Sequence, residues 1–96
     1  MNFSLPLMGT EQTEQEHDSE LLVILMEECA EVQQRCAKIL RYGASSQNIN
    51  KLTSELGDLQ CMINLAVQNH IVSAIEVQHA LAEKQRKLSK WSNLKL

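Results

Sequence analysis

Residues 18–43, DSELLVILMEECAEVQQRCAKILRYG, set the architecture of this chain. Leu22, Leu25, Cys29, Val32, Cys36 and Ile39 recur at steps of three and four, which lines one face of an α-helix. Asp18 or Ser19 stands where an N-cap belongs, and Glu20 puts negative charge in the first turn. Lys38 and Arg41 put positive charge at the other end, and Gly43 supplies the stop. The expectation is a helix of about 24 residues, roughly 36 Å long.

C-terminal to this helix, Ala44–Asn48 reads as a connection, with Ser45, Ser46 and Asn48 all able to cap a second helix. That helix is expected from about Ile49 to Asn69, turning Leu52, Leu56, Leu59, Met62, Ile63 and Ala66 inward. Gly57 lies inside it, where a glycine often marks the close approach of another backbone or a ligand. Asn69–Val72 makes a second turn. Ser73 with Glu76 three positions later is a capping-box pattern, opening a third, shorter helix that runs to about Trp91. On the N-terminal side, residues 1–17 are polar and acidic apart from Phe3, Leu5, Leu7 and Met8, and read as an arm or a short helix from Thr10.

The composition agrees. The chain has 96 residues, 44% of them hydrophobic, but only Phe3, Tyr42 and Trp91 are aromatic, and there are three glycines and one proline. That leaves little material for the many turns of a β-sandwich or barrel. The fold class expected is all-α: an antiparallel bundle of two long helices and a third shorter one in residues 18–96. Three such helices enclose a thin core, and oligomerisation is the usual remedy at this size, so a homodimer or homotetramer is expected.

A net charge of −3 argues against a nucleic-acid binder, which needs a basic face. The charge is also unevenly spread. No Lys or Arg precedes Arg35, whereas Lys84, Arg86, Lys87, Lys90 and Lys95 crowd the other end. Cys29, Cys36 and Cys61 form no Cys-x-x-Cys pair and are read as buried free thiols, which suits a reducing cytoplasm. The opening residues carry no positive n-region and are broken by Pro6, so no signal peptide is expected. The longest apolar run, Leu21–Met26, is too short to span a bilayer.

The carboxylates break the amphipathic pattern. On a wheel of about 100° per residue with Glu28 at zero, Leu21 and Ile39 fall at about 20° and Val32 at about 40°. Glu28 is thus inside the apolar arc, with Glu31 at about 300° and Glu27 at about 260° along its edge. On the second helix, with Glu55 at zero, Leu59 falls at about 40°, Met62 at about 340° and Asp58 at about 300°. Each helix therefore presents two carboxylates at i and i+3 on the same edge of the same kind of face. Packed antiparallel, the four converge. Burying them unpaired is prohibitive, and only Arg35 lies near this edge as a counter-ion. Hard oxygen donors in this number suit Mg²⁺, with Mn²⁺ as a substitute.

Glu27-Glu28-Cys29-Ala30-Glu31, followed after 23 residues by Glu55-Leu56-Gly57-Asp58, resembles the EExxE…ExxD signature of the MazG-like, all-α nucleoside triphosphate pyrophosphohydrolases. The likeness extends over about residues 18–91. It implies Mg²⁺-dependent hydrolysis of a (deoxy)nucleoside triphosphate to the monophosphate and pyrophosphate. Carried onto this chain, it implies Glu28, Glu31, Glu55 and Asp58 as metal ligands and Glu27 as a base or an orienter of the attacking water. Two other readings stay open: hydrolysis of another nucleotide pyrophosphate such as phosphoribosyl-ATP, and a non-catalytic helical assembly or regulatory protein.

Lys84 falls in the apolar arc of the third helix, with Val77, Ala80, Leu81, Leu88 and Trp91, and is a candidate to reach substrate phosphates. Asn64 is a further candidate substrate contact. Glu76-x-x-His79 resembles half of a di-iron ligand set but points away from the apolar arc and reads as surface. Tyr42 and Trp91 read as core or interface aromatics rather than base-stacking platforms.

Overall fold

The computed structural model of the chain describes residues 12–96. They form three α-helices and no strand: α1 (Glu14–Tyr42), α2 (Ser46–Gln68) and α3 (Ala74–Trp91). Phe3, Leu5, Leu7, Met8 and the alternative helix start at Thr10 lie outside the described residues.

Each helix begins at a side-chain cap. Thr13 accepts from the Glu16 N–H at 3.1 Å, Ser45 from the Asn48 N–H at 3.1 Å, and Ser73 from the Glu76 N–H at 3.4 Å. The second and third caps are among those expected. The first corrects the placement at Asp18 or Ser19: α1 begins at Glu14, inside the segment read as an arm, and reaches 29 residues. Its first turns are helical because Thr13-x-x-Glu16 is itself a cap pattern, although no apolar stripe covers them. Ser19 ends up in the helix interior and 3% exposed.

α1 ends at Gly43, with φ 101°, a conformation costly for any residue with a Cβ. Asn48 donates from its side chain to the Gly43 carbonyl at 3.0 Å and ties off the connection to α2. The end of α2 is a Schellman motif. The Ile71 N–H donates to the Ala66 carbonyl at 2.9 Å and the His70 N–H to that of Val67 at 3.0 Å. His70 takes the left-handed position at φ 60°. Ile71, just beyond it, packs onto the core, the hydrophobic contact that accompanies this motif.

A three-residue connection forces α1 and α2 into an antiparallel hairpin, the one extensive helix–helix contact among the described residues. Its core is small: Leu21, Met62 and Ala66 are 5%, 8% and 4% exposed, with Ile24, Leu25, Leu65 and Ile71 packed around them. No residue of α3 is buried. The molecule is 20 Å through its thinnest axis, about two helix diameters.

That thinness overturns several inward assignments. Cys29, Cys36 and Cys61 are exposed rather than buried, and so is Leu56. A helix in a two-layer hairpin covers only the strip facing its neighbour, whereas the apolar arcs here are wider than one neighbour can shield. Tyr42 and Trp91 lie outside any core of the single chain, Trp91 at 78% exposure with the Lys90 ammonium 5.2 Å from its ring centre. Around Gly57 there is open space: a Cβ added there meets nothing within 4 Å. The close approach expected at that glycine does not occur among the described residues.

Candidate metal centre

The hairpin that makes the core also assembles the carboxylates. Moving up α1 from Leu21 to Glu28 is matched by moving back along α2 from Met62 to Asp58 and Glu55. Glu28, Glu55 and Asp58 each offer an oxygen, and the three oxygens lie within 4.8 Å of one another. Glu28 and Glu55 are half-buried and Asp58 is exposed, so the cluster sits at the mouth of the α1–α2 seam.

Glu28 is the strained member. Its carboxyl is held above the ordinary 4.5, first by loss of solvent, then by the negative charges of Asp58 and Glu55. The Glu55 carboxyl, close enough to share a proton, favours the protonated form further, and Glu31 adds a weaker repulsion. Its Oε2 is shielded from water and accepts no hydrogen bond. An inaccessible carboxylate oxygen without a donor, beside two more carboxylates, is satisfied either by a proton on the cluster or by a cation.

Of the expected ligands, the structure brings Glu28, Glu55 and Asp58 together. Glu31 stands one turn along α1, half-buried and near enough to perturb Glu28, but outside the tight triad. Glu27 is exposed on the flank. The two substrate candidates lie on α2 and α3. Lys84 is exposed on α3, a helix with no buried residue. Asn64 lines a groove of about 570 Å³ between α2 and α3, with Gln60, Ile63, Val67, Val77 and Leu81, and accepts from Gln60 at 2.9 Å. By helical rotation this is the far side of α2 from Glu55. Glu76 and His79 are exposed, as expected of surface residues.

A donor set of carboxylate oxygens alone fits a hard divalent ion such as Mg²⁺ or Mn²⁺, whose oxygen ligands stand about 2.0–2.2 Å away. The orphaned Glu28 Oε2 agrees with that fit. Compared with known proteins, the chain matches no family model, no curated protein and no solved structure. The likeness to MazG-like enzymes therefore rests on the residues that carry it.

Proposed function

We propose that this protein hydrolyses (deoxy)nucleoside triphosphates to nucleoside monophosphate and pyrophosphate, with Mg²⁺ held by Glu28, Glu55 and Asp58 and approached by Glu31. The observation that carries the reading is the meeting of three carboxylates from two helices within 4.8 Å, one with a shielded oxygen that has no donor. A divalent ion bound there supplies charge neutralisation of the triphosphate and a lowered pKa for coordinated water. The carboxylates hold the ion between α1 and α2, and the hairpin core fixes their spacing. Glu27, exposed beside them, is in place to accept a proton from the attacking water or to orient it.

The same proposal includes self-association into a homodimer or homotetramer. It is supported by an α3 with no buried residue and by Leu40, Ile75 and Trp91 standing 88%, 66% and 78% exposed. Apolar side chains left uncovered in one chain gain cover when copies associate.

The test is product analysis by ion-exchange chromatography after incubation with the eight common NTPs and dNTPs, with Mg²⁺ and then with chelator. Monophosphate and pyrophosphate, lost on chelation and reduced roughly a hundredfold or more in Glu28→Gln and Asp58→Asn, are the expected result, since each substitution removes a charged metal ligand. Diphosphate with phosphate would keep a metal centre but change the bond cleaved. Turnover unaffected by either substitution would remove these residues from the site.

A further inference from the structure

Met26, Gln33 and Leu40 stand a heptad apart on α1, about 140° round the helix from Glu28 and turned away from the seam with α2. Cys29 and Cys36 flank this line on one side, at about 80–100°, and Ala30 and Ala37 on the other, at about 180–200°. All of them are exposed, Met26 at 67% and Leu40 at 88%. From Met26 to Leu40, roughly 21 Å of helix, the stripe carries no charge. Among the described residues the extensive contact of α1 is with α2, on its other side.

Charge along α1 is ordered about the middle of that stripe. Every Asp and Glu of the helix precedes Gln33, and every Lys and Arg follows it. The helix dipole favours such an order only in the first and last turns, whereas Glu27, Glu31 and Arg35 stand well inside. A surface ordered in this way complements itself when turned end for end and repels itself when laid parallel. About a two-fold axis at Gln33, Met26 comes level with Leu40 of a second copy. Cys29 comes level with Cys36 and Ala30 with Ala37, each to within one residue. The two-fold keeps each flank of the stripe on its own side, so cysteine meets cysteine and alanine meets alanine. Glu27, on the alanine side, falls within a turn of Arg41 of the second copy, opposite charge to opposite charge.

Resting on the self-association proposed above, and independent of the metal centre, we infer that this stripe is a contact between two copies of the chain, packed α1 against α1 in antiparallel about a two-fold axis at Gln33. Burial of Met26 and Leu40 drives the contact, and the order of charge sets its direction. Because the stripe lies well round the helix from Glu28, the pairing leaves the mouth of the carboxylate seam open.

Cross-linking of the full chain tests both the surface and the direction. In a Cys61→Ala background, Cys29→Ala and Cys36→Ala chains are treated with a short bismaleimide, separately and after refolding together. The expected product is a dimer joined from Cys36 of one copy to Cys29 of the other, formed in the mixture. Far less is expected from either chain alone, where like cysteines lie about 9–12 Å apart along the helices. Gln33 meets itself at the axis, so Gln33→Glu and Gln33→Lys each bring like charges together. Both are expected to weaken self-association roughly tenfold or more with helicity unchanged, read by light scattering across concentration. Links from Cys29 to Cys29 and from Cys36 to Cys36 instead would mean parallel helices and overturn the inference. An oligomer that forms no link in the mixture and ignores both Gln33 substitutions associates through another surface, such as α3, and leaves the stripe to a different occupant. That result overturns the inference and keeps self-association. A wild type that stays monomeric at every concentration ends self-association, and the inference falls with it.

Discussion

Glu28 is held protonated more readily than a solvated glutamate, because ionising it adds a charge to a half-buried cluster that already contains Asp58 and Glu55. A carboxyl whose folded pKa is raised contributes stability that is fully present below its unfolded value near 4.5 and lost as pH rises through the folded value. In chelator at pH 7, Glu28→Gln is therefore expected to melt above wild type, and the gap to close as the pH is lowered toward 4.5. With the proposed metal centre, added Mg²⁺ or Mn²⁺ is expected to reverse the order, since only wild type retains all three proposed ligands. Thermal melts of both proteins across pH, with chelator and with metal, check this. A gap that widens toward low pH would mean that the carboxylates do not repel one another in the folded state.

At the scale of the helices, caps and stops are local and decide where each element begins and ends. Thr13, Ser45 and Ser73 each satisfy a first-turn N–H, and Gly43 and the Schellman turn at His70 close the first two helices. Gly57 is the exception. It sits in the middle of α2 with open space around it and an ordinary helical backbone, so nothing among the described residues requires a glycine there. Gly57→Ala is expected to stabilise the protein by about 0.5–1 kcal/mol through the lower entropy of the unfolded chain. Urea unfolding at low concentration, where copies are apart, measures it. A loss confined to high protein concentration would instead place a second copy against Gly57. Helix ends are readable from the sequence because capping depends on neighbours three or four positions away. The start of α1 is harder to read, since its first two turns carry a cap but no apolar stripe.

Across the whole molecule, stability rests on a small cluster at the open end of the hairpin. Leu21→Ala is expected to cost about 2–3 kcal/mol, the lower part of the range for a buried leucine, because a thin core can relax around the gap. Chemical denaturation would show it as a lower midpoint. α3 adds little within one chain, and its apolar side must find cover elsewhere if it is to be stable against the hairpin. Light scattering coupled to size exclusion is expected to give a mass of two or four chains, falling to one only on dilution. A strict monomer at high concentration would end the homo-oligomer proposal.

Periodicity and capping are properties of a few consecutive residues, and they alone determined that this chain makes three α-helices, where two of them begin, and that Glu28, Glu31, Glu55 and Asp58 fall on apolar faces. What covers those faces is a matter of how many neighbours each helix has, which no local pattern contains. Only the tertiary structure decided that, among the described residues, α1 and α2 pack extensively only on each other, leaving Cys29, Cys36, Cys61 and Leu56 exposed. The same packing set Asn64 in the groove between α2 and α3, on the far side of α2 from Glu55, and left Lys84 exposed. It also left Arg35, by sequence only an insufficient counter-ion, half-buried, with its Nε closed to water and without an acceptor.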